Sequence, residues 1–233
     1  MQIPGPVQVM CESLDRTISV WSRDLTVSLE ALGAYEPWLS SDERARAARF
    51  TRPALRERYI IGRGTLRLLL SNVVGLAPGE VCIERGRRGR PQLHGADDID
   101  FNVSHTRDRV VFVIASEVPP GQRVGIDVEH LHRTPDVDRL SRRVLTEAER
   151  ARLAGLPDDD RRIAFLATWT CKEAMSKATG DGIGAPFGKI TVDPFDPPRV
   201  IDGPGAYAAA RWQLHRIEID PEHVTTVAVH RTA

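Results

Sequence analysis

Three acidic residues could together hold a metal ion. Asp127 and Glu129 are separated by one residue, so on a strand both carboxylates lie on one face. The two negative carboxylates repel each other unless a cation lies between them. Oxygen ligands favour a hard ion, and Mg²⁺ commonly binds a few carboxylates together with water and substrate phosphate. Glu173 is the natural third ligand, although an Asp-x-Glu pair also occurs on ordinary half-exposed strands.

A helix predicted over about 160–179 carries the next candidate residues. A rotation of ~100° per residue puts Trp169, Glu173 and Lys177 on one face. The chain has only three lysines among its 32 basic residues, and two of them, Lys172 and Lys177, lie in this helix. A compact ammonium there suits a phosphate ligand. The alternative is an ordinary surface ion pair between Glu173 and Lys177.

Two further stretches have the chemistry to bind an anion. The turn Gly86-Arg87-Arg88-Gly89-Arg90-Pro91 combines glycines, which let backbone amides approach a phosphate, with planar guanidinium groups. The alternative is a solvated loop. Ser104 and His105 are adjacent in sequence, which rarely places a serine in line with its own histidine for nucleophilic catalysis. We therefore read them as a hydrogen-bonding pair for an anion or as structural residues.

Composition limits the class of protein. The chain has 233 residues, 41% hydrophobic and 27% charged, which predicts a globular protein with a full core. A formal net charge of zero predicts no nucleic-acid partner, and no apolar run reaches the ~18 residues of a membrane span. Three widely spaced cysteines predict neither a disulfide framework nor a metal knuckle. We expect a cytoplasmic, reduced protein.

Local signals define the elements that position these residues. Capping boxes predict helices that begin after Ser40 and Thr146. Proline at the start and glycine at the end predict a helix over 53–74. Two apolar strands, 110–115 and 123–129, are separated by a Pro-Pro-Gly loop and predict a hairpin.

The whole set of motifs resembles the surfactin-synthetase-type 4'-phosphopantetheinyl transferase family. The matching segments are Asn102-Val103-Ser104-His105, Gly125-Ile126-Asp127-Val128-Glu129 and Trp169-x-x-Lys172-Glu173-Ala174-x-x-x-Lys177, in the family's order and at about its spacings. Gly89-Arg90-Pro91 is similar to an upstream family element, and the helix containing Arg58 is similar to its arginine-led N-terminal helix. The joint pattern is far more specific than any one piece.

The resemblance implies an α/β (α+β) fold with two similar, pseudo-twofold-related subdomains, each a small sheet packed with helices. The first would cover 1–115 and contact the nucleotide of coenzyme A. The second would cover 116–233 and carry the metal-binding and catalytic residues, with the active site at their interface. A chain that contains both halves is expected to act as a monomer, since the pseudo-dimer completes its own site.

The resemblance also assigns roles to residues. Asp127, Glu129 and Glu173 are expected to bind Mg²⁺, which bridges the pyrophosphate of coenzyme A. Lys177 is expected to contact that pyrophosphate and to stabilise the departing oxygen. The remaining expected contacts to coenzyme A are Arg46, Ser104 and His105 at the 3'-phosphate, Arg90 at the adenine or a phosphate, and Arg58 and Lys172. The alternative for Lys172 is a solvated neighbour of the site.

The implied reaction transfers the 4'-phosphopantetheine of coenzyme A to a serine of an acyl or peptidyl carrier protein and releases adenosine 3',5'-bisphosphate. Glu173 and Glu147 are both candidates for the base that accepts the serine proton. Carrier proteins are typically acidic, so we expect salt-sensitive docking. Two alternatives stay open: another Mg²⁺-dependent phosphotransfer enzyme, and a non-catalytic module that binds coenzyme A or carrier domains.

Overall fold

The computed structural model describes residues 5–26, 29–195 and 197–231, apart from the side chains of 29–31 and 87. Eleven strands and six α-helices lie within these residues. The strands are β1 (Val7–Val9), β2 (Ile18–Asp24), β3 (Ile83–Arg85), β4 (Pro91–Leu93), β5 (Asp100–His105), β6 (Arg109–Ala115), β7 (Arg123–His130), β8 (Thr191–Asp193), β9 (Arg199–Asp202), β10 (Trp212–Ile217) and β11 (His223–His230). The helices are α1 (Leu29–Tyr35), α2 (Ser41–Ala48), α3 (Pro53–Val74), α4 (Val137–Val144), α5 (Glu147–Ala154) and α6 (Asp158–Thr179).

Two antiparallel sheets form the centre of the molecule. The first has the order β1-β2-β6-β5, and the second has the order β10-β11-β7. The inner faces pack against each other, with Val111 and Val113 of β6 in one apolar cluster with Val124 and Ile126 of β7. Two further pairs of strands, β3-β4 and β8-β9, each form a small antiparallel sheet. The mixed α/β class predicted from the sequence is confirmed.

A long helix covers the outer face of each central sheet. Helix α3 packs Leu66 and Leu70 against Phe112 of β6, while α6 packs Cys171 and Ala174 in the core of the second half. Each of these helices has 22 residues and ends at a left-handed glycine. The order of layers is therefore helix, sheet, sheet, helix. The division at residue 115 and the pseudo-twofold relation stay predictions.

The close approach of α6 to β7 depends on Gly125. A Cβ atom at this position would lie 2.0 Å from the carbonyl oxygen of Ala174, well inside the contact distance of the two atoms. Glycine therefore lets the helix backbone lie directly on the strand. This contact brings the polar residues that follow Ala174 on the helix beside those that follow Gly125 on the strand.

The local predictions succeed better than the pairing prediction. Both capping boxes are present, and α3 has the predicted bounds. The predicted hairpin of β6 with β7 is wrong, because β6 pairs with β2 and β5 whereas β7 pairs with β11. The Pro-Pro-Gly segment instead carries the chain from one sheet to the other. Among the described residues, no helix combines the length and apolar character required to cross a membrane.

Candidate active site

The centre of the site is a three-way contact between strands β5 and β7 and helix α6. The Nζ atom of Lys177 donates to Oδ1 of Asp127 and to Oγ of Ser104, both at 2.6 Å. Ser104 donates in turn to the same Asp127 oxygen at 2.8 Å. The other oxygen of Asp127, Oδ2, is buried and has no hydrogen-bond partner among the described residues. A buried carboxylate oxygen without a partner is costly unless a further group binds it.

Alternate side chains of β5 connect the two sheets and position this centre. Asp100 accepts a hydrogen bond from the backbone N–H of Val124 at 2.7 Å, and Asn102 accepts one from that of Ile126 at 3.4 Å. Ser104 is the third residue on the same face of β5. These polar side chains therefore align β5 with β7, although the two strands form no backbone ladder in the sheets.

Glu129 lies at the polar end of β7. Its Oε1 accepts a hydrogen bond from Nε1 of Trp169 at 3.0 Å and also contacts the guanidinium of Arg133. Burial raises the pKa of Glu129, and the nearby charge of Asp127 raises it further against the effect of Arg133. The indole of Trp169 therefore fixes one oxygen of a carboxylate that resists ionisation.

Glu173 is the most strongly shifted acid in the site. Burial raises its pKa to about 7, and the charges of Asp127 and Glu129 contribute in the same direction. Lys177 opposes this shift without cancelling it. Three carboxylates thus share a partly buried region in which a divalent cation would relieve their mutual repulsion.

His105 lies at the exposed end of β5, next to this centre. Desolvation by the surrounding protein lowers the pKa of His105, and the positive charge of Lys177 lowers it further, while Asp127 acts in the opposite direction. The lowered pKa favours the neutral ring, which has one N–H donor and one acceptor.

Comparison with known proteins decides the family. A model described as "4'-phosphopantetheinyl transferase superfamily" matches residues 123–228, and one described as "4'-phosphopantetheinyl transferase, N-terminal" matches residues 28–118. The chain is 34% identical over 220 residues to the 4'-phosphopantetheinyl transferase HetI of Nostoc sp., covering 93% of this chain and 89% of that protein. The chain belongs to the 4'-phosphopantetheinyl transferase family.

Two other likenesses are more distant. The 4'-phosphopantetheinyl transferase Sfp of Bacillus subtilis is 24% identical over 170 residues, which cover 72% of each chain. A crystal structure of a holo-(acyl-carrier-protein) synthase from Bacillus anthracis, in complex with CoA (3',5'-ADP), is 30% identical and matches 48% of this chain and 96% of that chain with a TM-score of 0.37.

The structure corrects the role that was predicted for Lys172. The sequence predicts it as a contact to coenzyme A, but its side chain is completely buried. Its ammonium donates to Glu149 Oε2 at 2.6 Å, to the carbonyl of Val144 at 2.8 Å and to that of Phe187 at 2.9 Å. These three bonds use all three donors. Lys172 therefore joins α5, α6 and the loop around Phe187 within the core and leaves no donor for a ligand.

Arg90 also differs from its predicted role as an adenine or phosphate contact. Its guanidinium forms a bidentate salt bridge with Asp100, at 2.7 and 2.8 Å. It also donates to the carbonyls of Phe101, Val124 and Lys177 at 2.8–3.2 Å. Arg90 thus ties β5, β7 and the end of α6 together. In the same turn the exposed side chain of Arg88 pairs with Asp181.

Arg46 and Arg58 lie on α2 and α3, and Arg46 contacts the aromatic ring of Tyr59. The guanidinium of Arg46 lies 5.6 Å above the ring centroid, and Arg58 is half-buried on α3. The positive charges of Arg63 and Arg85 also act on Tyr59. Sequence reasoning missed Arg85, which carries the same charge but lies on a short strand outside any family motif.

Glu147 begins α5 and is exposed, and no contact joins it to the three carboxylates among the residues that the structure describes. Asp100 and Asn102 were also missed as positioning residues. Their alternation with Ser104 along one strand is a signal that could have found them. Cys171 is buried, and desolvation raises the pKa of its thiol to about 11, which excludes it as a nucleophile at neutral pH.

Proposed function

We propose that this protein transfers the 4'-phosphopantetheine group of coenzyme A to a serine of an apo carrier protein in a Mg²⁺-dependent reaction. The observation that carries the proposal is the contact of Lys177 with Asp127 beside two further carboxylates of raised pKa. Attack by the carrier hydroxyl on the β-phosphorus breaks the pyrophosphate bond and releases adenosine 3',5'-bisphosphate. Positioning and neutralisation of charge carry most of the catalysis in such a transfer.

The residues present fit Mg²⁺. Oδ2 of Asp127 is a buried oxygen without a donor among the described residues, and Glu129 and Glu173, whose charges act on the same site, would supply the other oxygens. When bound, the ion would neutralise charge on the pyrophosphate. The donor set contains only oxygens, which is the chemistry that Mg²⁺ prefers. The indole of Trp169 holds Glu129 in its orientation, and Ser104 and Lys177 do the same for Asp127.

Lys177 is proposed to bind the pyrophosphate of coenzyme A. Two of its three N–H donors are used by Asp127 and Ser104, which leaves the third for a phosphate oxygen. Its side chain is 27% exposed, so this donor is accessible. Positive charge at that position stabilises the charge that develops on the leaving group.

The nucleotide end of coenzyme A is proposed to lie against the first half of the chain. Arg46 lies over the ring of Tyr59, where Arg63 and Arg85 add positive charge and Glu43 adds negative charge, and Arg58 precedes Tyr59 on α3. Guanidinium groups bind a phosphate through two parallel hydrogen bonds. His105, whose pKa is lowered by burial and by Lys177, would contribute a ring N–H donor to the 3'-phosphate.

Glu173 is proposed as the base that accepts the proton of the carrier serine, directly or through water. It lies among the residues of the site, one helical turn before Lys177 on α6, where a carboxylate can take up a proton. Glu147 is the alternative, and its exposure on a separate helix speaks against it. A Glu147→Gln variant that loses as much kcat as Glu173→Gln would reverse this choice.

The deciding experiment is the intact mass of a panel of apo carrier proteins after incubation with the protein, coenzyme A and Mg²⁺. We expect a gain of one phosphopantetheine group that is abolished by EDTA. Asp127→Asn should lose the activity, whereas the exposed control Asp138→Asn should retain it. If the folded protein binds coenzyme A but modifies no carrier, the protein is a binding module and not this transferase.

A further inference from the structure

A second cluster of metal-ligating side chains lies outside the carboxylate site. Asp108 follows β5 in the turn to β6, His130 is the last residue of β7, and His223 is the first residue of β11. His130 and His223 are direct partners across the antiparallel pair of β7 and β11. One ligand atom from each of the three residues lies within 4.8 Å of the others. Ligands of a tetrahedral zinc ion are about 3.3 Å apart, so a small contraction would close the cluster around an ion.

His223 is already oriented as a ligand. It is only 7% exposed, and its Nδ1 lies 2.7 Å from Oδ1 of Asp220. A hydrogen bond from Nδ1–H to a carboxylate leaves the lone pair on Nε2, which is the usual arrangement of a metal-bound histidine. Nε2 lies 3.5 Å from Oδ1 of Asp108 and 3.5 Å from the hydroxyl of Thr106. The ring therefore presents Nε2 towards Asp108 and Thr106, on the side of the cluster.

His130 can become the third ligand if it gives up one hydrogen bond to the backbone. Its Nδ1 accepts from the backbone N–H of His132 at 3.1 Å. A neutral imidazole has a single lone pair, so binding an ion through either nitrogen gives up that bond. Its ring centroid lies 4.8 Å from that of His223, so no other side chain has to move between the two rings.

The local charge also favours a cation. Asp108 and Asp220 contribute two negative charges, and the guanidinium of Arg109 offsets one of them at 3.1 Å from Asp220 Oδ2. With both histidines neutral, one negative charge is left for the cluster. The competing explanation is a protonated His223 that bridges the two carboxylates without any metal.

We propose that Asp108, His130 and His223 form a binding site for a zinc-class divalent transition ion. Imidazole nitrogens favour such ions over Mg²⁺, which separates this site from the carboxylates of the active centre. The ion would connect the β5–β6 turn to the edge of the second sheet. Since that turn begins immediately after His105 and β7 carries Glu129 next to His130, the ion would hold two strands of the active site in register.

The test uses Co²⁺ as a spectroscopic probe, with excess Mg²⁺ present to occupy the carboxylate site. On the untagged protein we expect one equivalent of Co²⁺ to give visible absorption bands typical of nitrogen ligation, and Zn²⁺ to displace it. Asp108→Asn and His130→Gln should each weaken Co²⁺ binding by at least about tenfold. His94→Gln, which changes an exposed histidine elsewhere, should bind Co²⁺ as the native chain does.

Two results would overturn the proposal. One is the absence of a stoichiometric Co²⁺ spectrum in the native protein, which would leave the bridging imidazolium as the explanation. The other is binding that is lost in Asp127→Asn but kept in Asp108→Asn, which would assign the ion to the carboxylate site. If the cluster variants do not fold, X-ray absorption of the zinc-loaded native protein still decides, because two imidazole ligands give a characteristic scattering pattern.

Discussion

Nζ of Lys172 lies 2.6 Å from Oε2 of Glu149, and neither side chain is exposed to solvent. Lys172 precedes Glu173 on α6, and side chains of adjacent helical residues point about 100° apart, so the ion pair lies on a different side of the helix from Glu173. The same helix thus supports the core with one lysine and serves the site with another. The partners distinguish the two roles: Lys172 binds Glu149 in the core, and Lys177 binds Asp127 in the site.

Replacing Lys172 should therefore act on stability and not on ligand binding. Lys172→Met leaves Glu149 buried and uncompensated, so the free energy of unfolding in urea should fall by about 3–5 kcal/mol. Adding Glu149→Gln should recover part of this loss because no buried charge is left. Lys189→Met, at an exposed position, is the matched control. A large increase in KM for coenzyme A at unchanged stability would return Lys172 to the ligand-binding residues.

Arg90→Lys should destabilise the protein although it keeps the charge. Lysine cannot reproduce the bidentate contact with Asp100 or the three bonds to backbone carbonyls. We expect a loss of at least roughly 1.5–3 kcal/mol in urea unfolding. Arg88→Lys, at a side chain that is 65% exposed, should change stability by less than about 1 kcal/mol. Equal effects of the two substitutions would contradict the structural role of Arg90.

Glu173→Gln should stabilise the metal-free protein in a pH-dependent way. The folded-state pKa of about 7 lies above the ordinary value of 4.5, so the folded protein holds the proton more tightly than the unfolded chain does. The contribution of Glu173 to the free energy of unfolding is fully present below pH 4.5 and is lost as the pH rises to about 7. At pH 8 the variant should be more stable by about 1–3 kcal/mol, with little difference at pH 4.5.

Thermal unfolding in EDTA at both pH values measures the effect of Glu173→Gln. Glu147→Gln, at an exposed position, serves as the control substitution. Addition of Mg²⁺ should stabilise the native chain more than the variant, since the ion binds the ionised carboxylate. A difference between Glu173→Gln and the native chain that is the same at both pH values would show that burial of the charged form is not its cause.

Trp169→Phe should weaken Mg²⁺ binding while keeping most of the ring packing. The phenyl ring can still pack near Phe165 and Phe187, but the 3.0 Å bond from Nε1 to Glu129 is lost. We expect the Mg²⁺ concentration for half-maximal activity to increase about tenfold, as is usual when a group that orients a ligand is removed. Trp212→Phe loses a comparable bond, to the carbonyl of Ala206, and should not alter the Mg²⁺ dependence.

The sequence by itself determined the features that depend on neighbouring residues. The capping boxes, the bounds of α3 and the shared face of Asp127 and Glu129 follow from local hydrogen bonding and from the periods of helix and strand. It also determined the family, because several short motifs occur together in order. The predicted binding of Mg²⁺ by Asp127 and of the pyrophosphate by Lys177 stays a prediction, although the two side chains do meet.

Only the tertiary structure decided which charged residues are available to a ligand. Lys172 and Arg90 have the residue types of phosphate contacts, yet partners far along the chain, Glu149 and Asp100 among them, use their donors inside the protein. The pairing of β6 was misjudged for the same reason, since strand partners depend on which sheets pack together. Burial and pairing are long-range properties of the packed chain, so no local pattern of residue types can specify them.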